Sequence, residues 1–175
     1  TSASLDSLNK KPSKENMNAL TIAKELAGVL VSQGWKIALA ESCTGGLVCA
    51  TLTELAGSSD WFERGYVTYS NLAKTESLGV PEDLINSLGA VSEPVARAMA
   101  EGALRNAHVK AAIAITGIAG PSGGSAEKPV GTVCFGWATE NQTLTKTMHF
   151  DGDRQKIRQQ ATEFALTELV ALLRS

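Results

Sequence analysis

Ser42 stands in the string Glu41-Ser42-Cys43-Thr44-Gly45-Gly46, between a short apolar run and a helical one. A serine placed where a strand turns into a helix can act as a nucleophile. At a helix start the first N–H groups lack intrahelical partners, so those of Thr44, Gly45 and Gly46 are expected to be unpaired. Gly45 and Gly46 also let a ligand approach the backbone closely. Such a turn can stabilise an oxyanion or hold a phosphate. The same position suits a serine that merely caps the helix, and spacing leaves both readings open. Cys43 is a rival nucleophile, but no histidine base accompanies it in the pattern, and free cysteines are often simply buried.

A serine nucleophile needs a base. The two histidines, His108 and His149, lie outside the segments that could form a site. A lysine can serve when neutral. At its ordinary pKa of about 10.4, only about one part in a thousand is neutral near pH 7.5, a deficit of roughly 4 kcal/mol. Burial can remove much of that deficit. Lys74 follows the β-rich string Tyr66-Val67-Thr68-Tyr69 by a few residues and can turn back toward Ser42. It reads equally as a solvated helix lysine. Tyr69 is suited to bind a ligand, to orient Lys74 or to sit in the core with its hydroxyl satisfied. Asn71, in the segment 70–74, is a candidate substrate contact.

A third candidate segment, 117–125, follows a buried strand that ends at Thr116. It is rich in glycine, including Gly117, Gly123 and Gly124, but matches neither phosphate-loop nor dinucleotide fingerprints. It reads as a binding loop or as a plain turn structure. A Ser-x-x-Lys string at Ser125 and Lys128 has a loop context and not the helix start that chemistry requires. Arg154 and Arg158 share a helix face and can receive a phosphate or carboxylate, or lie in a salt-bridged surface.

The elements that would position these residues follow from periodicity. Apolar residues three or four apart predict a helix over 19–32. A strand is expected at 35–40, a helix at 47–55 and a strand at 66–69. Helices are expected at 71–78 and 82–88, and a longer one from Ser92 as N-cap to about 106. The run 111–116 predicts a buried central strand. Residues 130–139 and 144–150 predict a hairpin, and Asp153 opens a last helix to about 174. Alternating strands and helices followed by a hairpin predict an α/β fold with a mixed sheet covered on both faces. In such sheets ligands bind beyond the carboxyl ends of the strands, where segments 41–46, 70–74 and 117–125 converge.

The chain has 175 residues, a net charge of −2 and 5% aromatic residues. Its length fits one domain over 19–175, and residues 1–18 read as a flexible tail. Scattered lysines and arginines and scarce aromatics argue against nucleic acid as the main partner. No apolar run is long enough to span a membrane. Three cysteines in no repeated spacing indicate a reducing compartment, hence the cytoplasm. No histidine–cysteine spacing suggests a metal, and neither metal nor cofactor is expected.

Six strings occur in fixed order: 40–46, 67–74, Gly89-Ala90-Val91-Ser92, 116–121, Lys128-Pro129-Val130-Gly131-Thr132-Val133 and Gly152-Asp153-Arg154. Together they closely resemble the CinA C-terminal domain family, from about residue 20 to the end of the chain. The resemblance implies a three-layer α/β/α sandwich and hydrolysis of nicotinamide mononucleotide to nicotinate mononucleotide and ammonia, within pyridine-nucleotide recycling. Many members carry a further N-terminal domain. The resemblance also implies Ser42 as nucleophile and Lys74 as its base, assisted by Tyr69 and Thr116. Thr44, Gly45, Gly46, Asn71, Gly117, Gly123, Gly124 and Arg158 are the expected substrate contacts. Related proteins self-associate, so a homo-oligomer is expected. Two other readings share these loops: a nucleotide-binding module without catalysis, and an amidase acting on a different pyridine or nucleotide amide.

Overall fold

Two uninterrupted apolar runs form the middle of a five-stranded sheet. In the computed structural model, which describes residues 14–175, these are β1 (Ile37–Glu41) and β3 (Ala111–Gly117). Strands buried on both faces need apolar residues at every position, not at alternate ones. Every residue of β1 is buried, and so is β3 up to its last residue. The sheet order is β2-β1-β3-β4-β5, with β2 (Phe62–Val67), β4 (Thr132–Thr139) and β5 (Thr143–His149) completing it. β1 runs parallel to β2 and β3, whereas β3–β4 and β4–β5 are antiparallel, so the sheet is mixed.

Helices α1 (Lys14–Gln33), α2 (Leu47–Thr53) and α6 (Arg154–Arg174) cover one face. Helices α3 (Asn71–Leu78), α4 (Glu82–Leu88) and α5 (Glu93–Ala107) cover the other. The result is the α/β/α sandwich with a mixed sheet. The indole N–H of Trp137 donates to the carbonyl of Ala165 at 2.9 Å, fixing α6 onto β4. None of the helices among the described residues is long and apolar enough to cross a membrane.

The differences from the sequence-based expectations have physical reasons. Helix α1 begins at Lys14, ahead of the apolar stripe that starts near 19, so 14–18 belongs to the helix and not to a tail. The rest of the expected tail lies outside the described residues. Strand β2 begins at Phe62 and ends at Val67, before Tyr69. It is an edge strand carrying Glu63, Arg64 and Gly65, and charged, half-exposed edges break the alternation that marks a strand. Ser92 occupies the N-cap position of α5, but its hydroxyl donates to the Gly89 carbonyl and caps nothing.

The helix carrying Lys74 is held close to α5 by a glycine. A Cβ added at Gly102 would collide with the carbonyl of Leu78, the last residue of α3. Gly102→Ala is therefore expected to lower stability by about 1–3 kcal/mol in chemical denaturation. Gly28→Ala provides the contrast: it lies within α1 with nothing within 4 Å, and alanine there should stabilise by about 0.5–1 kcal/mol.

Candidate active site

The carboxyl ends of β1, β2 and β3 lie side by side, and β1 has β2 on one side and β3 on the other. Ser42 leaves β1 at this crevice, its N–H donating to the Ile115 carbonyl at 2.9 Å. Lys74 approaches from the first turn of α3, whose start is capped by Ser70, the Ser70 side chain accepting from the Ala73 N–H at 3.0 Å. The Lys74 Nζ lies 3.0 Å from the Ser42 Oγ. It also donates to the carbonyls of Thr68 at 2.9 Å and Tyr69 at 3.2 Å. Lys74 is 1% exposed and Ser42 is 7% exposed. Among the described residues no carboxylate pairs with the amine, and burial pushes its pKa below the ordinary lysine value.

The turn after Ser42 differs from a bare helix start. The Glu41 carboxylate, fully buried, bends over it. Its oxygens accept from the N–H groups of Gly46 at 3.3 Å, Val48 at 3.0 Å and Cys49 at 3.0 Å. The Gly45 N–H is taken by the Ser42 carbonyl at 3.0 Å. The expectation that Gly45 and Gly46 offer free N–H groups is thus corrected, because the chain supplies its own anion. The N–H groups of Cys43 and Thr44 donate to no oxygen acceptor among the described residues. Ser42 is not a cap, since α2 begins at Leu47 behind Gly46, which has a φ of 102°.

Burial pushes the Cys43 thiol up to about 12, which leaves almost none as thiolate at neutral pH. Burial and then the charge of Glu41 push the Cys49 thiol up as well. Two buried hydroxyls, on Thr44 and Thr68, have no hydrogen-bond partner among the described residues.

Other expected residues take different roles. The Tyr69 side chain is 59% exposed, so it is not a core residue. Its carbonyl holds Lys74, and its hydroxyl accepts from Arg154 at 3.1 Å. Arg154 also donates to the Gly120 carbonyl at 2.8 Å, tying the glycine-rich segment to the rim. Arg158 is committed to the carbonyls of Cys43 at 3.1 Å and Thr44 at 2.9 Å, where it braces the serine turn. Thr116 lies at the end of β3, but its hydroxyl donates to the Ala90 carbonyl at 3.0 Å and is not free to donate to an oxyanion. Gly117 stays in the ladder opposite Val133, where an added Cβ would crowd that side chain.

Asn71 lines a groove between α3 and α4 with Leu72, Thr75 and Glu82 and makes no hydrogen bond to Ser42 or Lys74. Gly123 and Gly124, both with a φ of 85°, are exposed turn residues, and none of their hydrogen bonds reaches the Ser42–Lys74 pair. Lys128 reaches back to the Leu88 carbonyl at 2.7 Å, which confirms the loop setting of the Ser125–Lys128 string. Among the described residues no three His, Cys, Asp or Glu side chains gather as a metal site.

Sequence reasoning misses Glu41 as a contributor to the site. The signal for Glu41 was available: an acid at the end of a strand otherwise buried throughout must find partners, and the adjacent helix start provides them.

The model of the CinA C-terminal domain matches residues 19–173. A CinA-like protein of Syntrophobacter fumaroxidans is 56% identical over 144 residues, covering 82% of this chain and 34% of that protein. The nicotinamide-nucleotide amidohydrolase PncC of Enterobacter agglomerans is 50% identical over 155 residues, covering 88% of this chain and 93% of that protein. Among solved structures, the competence/damage-inducible protein CihA of Agrobacterium tumefaciens superposes with a TM-score of 0.87 at 42% identity, covering 90% of this chain and 96% of that one. The competence damage-inducible protein A of Klebsiella pneumoniae gives a TM-score of 0.87 at 38% identity, covering 90% and 98%.

Proposed function

We propose, for a chain that belongs to the CinA C-terminal domain family, that Ser42 and Lys74 hydrolyse the carboxamide of nicotinamide mononucleotide to nicotinate mononucleotide and ammonia. The observation that carries this reading is a buried lysine amine 3.0 Å from a serine hydroxyl, with no carboxylate among the described residues to hold it charged. The substrate is taken from the relative named for that activity, which is 50% identical along most of both chains.

The proton inventory fits a base. A neutral amine has two N–H bonds and one lone pair. The Thr68 and Tyr69 carbonyls, nearer than the Ser70 carbonyl at 3.5 Å, accept the two N–H bonds, which directs the lone pair at Ser42. Ser42 then donates its proton to Lys74 and attacks the carboxamide carbon, which the positive pyridinium ring makes more electrophilic. The N–H groups of Cys43 and Thr44 are the donors left for the oxyanion. The tetrahedral intermediate collapses as Lys74 returns the proton to the leaving nitrogen, and ammonia departs. Water, deprotonated by Lys74, hydrolyses the ester on Ser42 and regenerates the hydroxyl. Tyr69, Arg154 and the segment that Arg154 holds form the rim that meets the rest of the nucleotide.

The same reading treats 19–175 as one catalytic unit working in the cytoplasm, in keeping with its three free cysteines. It also includes self-association, supported by the exposed apolar side chains of Val67, Tyr69 and Leu72.

Ammonia release from nicotinamide mononucleotide, with uncharged nicotinamide as comparison, tests the reading. Release from the nucleotide and far less from nicotinamide is expected. A folded protein that releases none would overturn it in favour of a binding module. The pH dependence is a second check. Only unprotonated Lys74 can act, so kcat/KM should rise with pH along a limb whose midpoint lies below the ordinary 10.5. A rate that does not respond to pH over that range would contradict the role of Lys74.

A further inference from the structure

Glu41 reaches both halves of the Ser42–Lys74 pair. Its carbonyl oxygen accepts from the Thr68 N–H at 2.8 Å, and the carbonyl of the same Thr68 accepts from Lys74. Its backbone pairs with Ile115 in β3 and Val67 in β2. Its side chain holds Gly46, Val48 and Cys49 on the far side of the serine turn. The five residues 42–46 are therefore pinned at one end by the sheet and at the other by a carboxylate that grows from the sheet.

A fully buried carboxylate is expensive unless hydrogen-bonded, and three N–H donors at a helix start supply both bonds and favourable dipole. Those N–H groups are thereby withdrawn from any ligand. Beside Ser42, the N–H groups of Cys43 and Thr44 are left without an oxygen acceptor among the described residues.

We propose that Glu41 is a positioning residue: its carboxylate sets the Ser42 Oγ against the Lys74 Nζ and leaves the Cys43 and Thr44 N–H groups as the oxyanion donors. The proposal rests on the serine–lysine reading above. In Glu41→Gln the amide oxygen can keep two of the three N–H bonds, but the amide nitrogen meets the third N–H as a second donor. The turn then loosens without an added bulk.

The experiment measures Glu41→Gln in the full chain with two readouts, turnover of nicotinamide mononucleotide and the rate at which a fluorophosphonate labels Ser42. Active sites are titrated with the same reagent. A displacement of the nucleophile of about 1 Å can lower a rate by about 100-fold, so a fall of that order is expected in kcat per titrated site, with KM changed less than about threefold. The labelling rate should fall in parallel. A purely structural role would instead lower the titre of active sites and leave kcat per site unchanged, and that result would overturn the proposal. So would a loss confined to KM.

Should Glu41→Gln fail to fold, Glu41→Asp keeps the charge but withdraws the oxygens by one methylene. A kcat per site within about twofold of wild type would then count against the proposal. If wild type labels at Ser42 yet releases no ammonia from the nucleotide, the substrate reading fails, while the ratio of labelling rates still decides the role of Glu41.

Discussion

Ser42→Ala abolishes turnover while leaving the fold intact; a loss on the order of 10^4–10^6-fold in kcat is expected, as when a nucleophile acting as part of a unit is removed. The serine hydroxyl contributes little to the fold. Its contacts are the Lys74 amine and a long 3.4 Å bond to the Tyr69 carbonyl. The turn is held by Glu41 and Arg158, which the substitution does not touch. Cys43 cannot take over, because a thiol pushed up to about 12 supplies almost no thiolate near neutrality. Steady-state kinetics beside a circular-dichroism melt check this. Turnover within about tenfold of wild type would exclude Ser42 as nucleophile.

Lys74→Met should cost about 10²–10⁴-fold in kcat, the range for a general base. Lys74→Arg should not restore it, since a guanidinium stays charged at every accessible pH. Stability carries a second signature of the same residue. The folded-state pKa of Lys74 lies below its ordinary value of 10.5, so between the two values the unfolded chain binds more protons than the folded one. Wild-type stability should therefore rise with pH through that window and fall as pH drops through the folded pKa. Lys74→Met should lack this slope. Denaturant midpoints measured across the window for both proteins check it. A slope that persists unchanged in Lys74→Met would show that another group titrates.

The parts of this fold that were legible in the sequence are those dictated by repeated local signals. The run at 111–116 announced a strand buried on both faces, and the helix expected at 71–78 is Asn71–Leu78, which stops at Gly79. The edge strand Phe62–Val67 was harder to see, because solvent on one side allowed Glu63 and Arg64 to interrupt its pattern. In the site, Ser42 and Lys74 were found as candidates because their residue types restrict the chemistry, whereas their 3.0 Å approach depends on the end of β1 and the start of α3 meeting at the carboxyl ends of the strands. Residue type could not show that Arg158 is spent on two carbonyls, or that the Thr116 hydroxyl faces Ala90. Those are consequences of which groups the fold leaves unpaired, a property of the whole chain. Glu41 lay between the two cases: its burial was foreseeable from the strand, its partners only from the helix start beside it.

The most direct measurement is to mix the protein with nicotinamide mononucleotide, quench in acid within one turnover, and map the bound acyl group by peptide mass spectrometry. The serine–lysine mechanism requires the substrate, less ammonia, as an ester on Ser42 that builds up and decays. An adduct on Cys43, or ammonia released at the full rate with no adduct on Ser42 at any time, would contradict it.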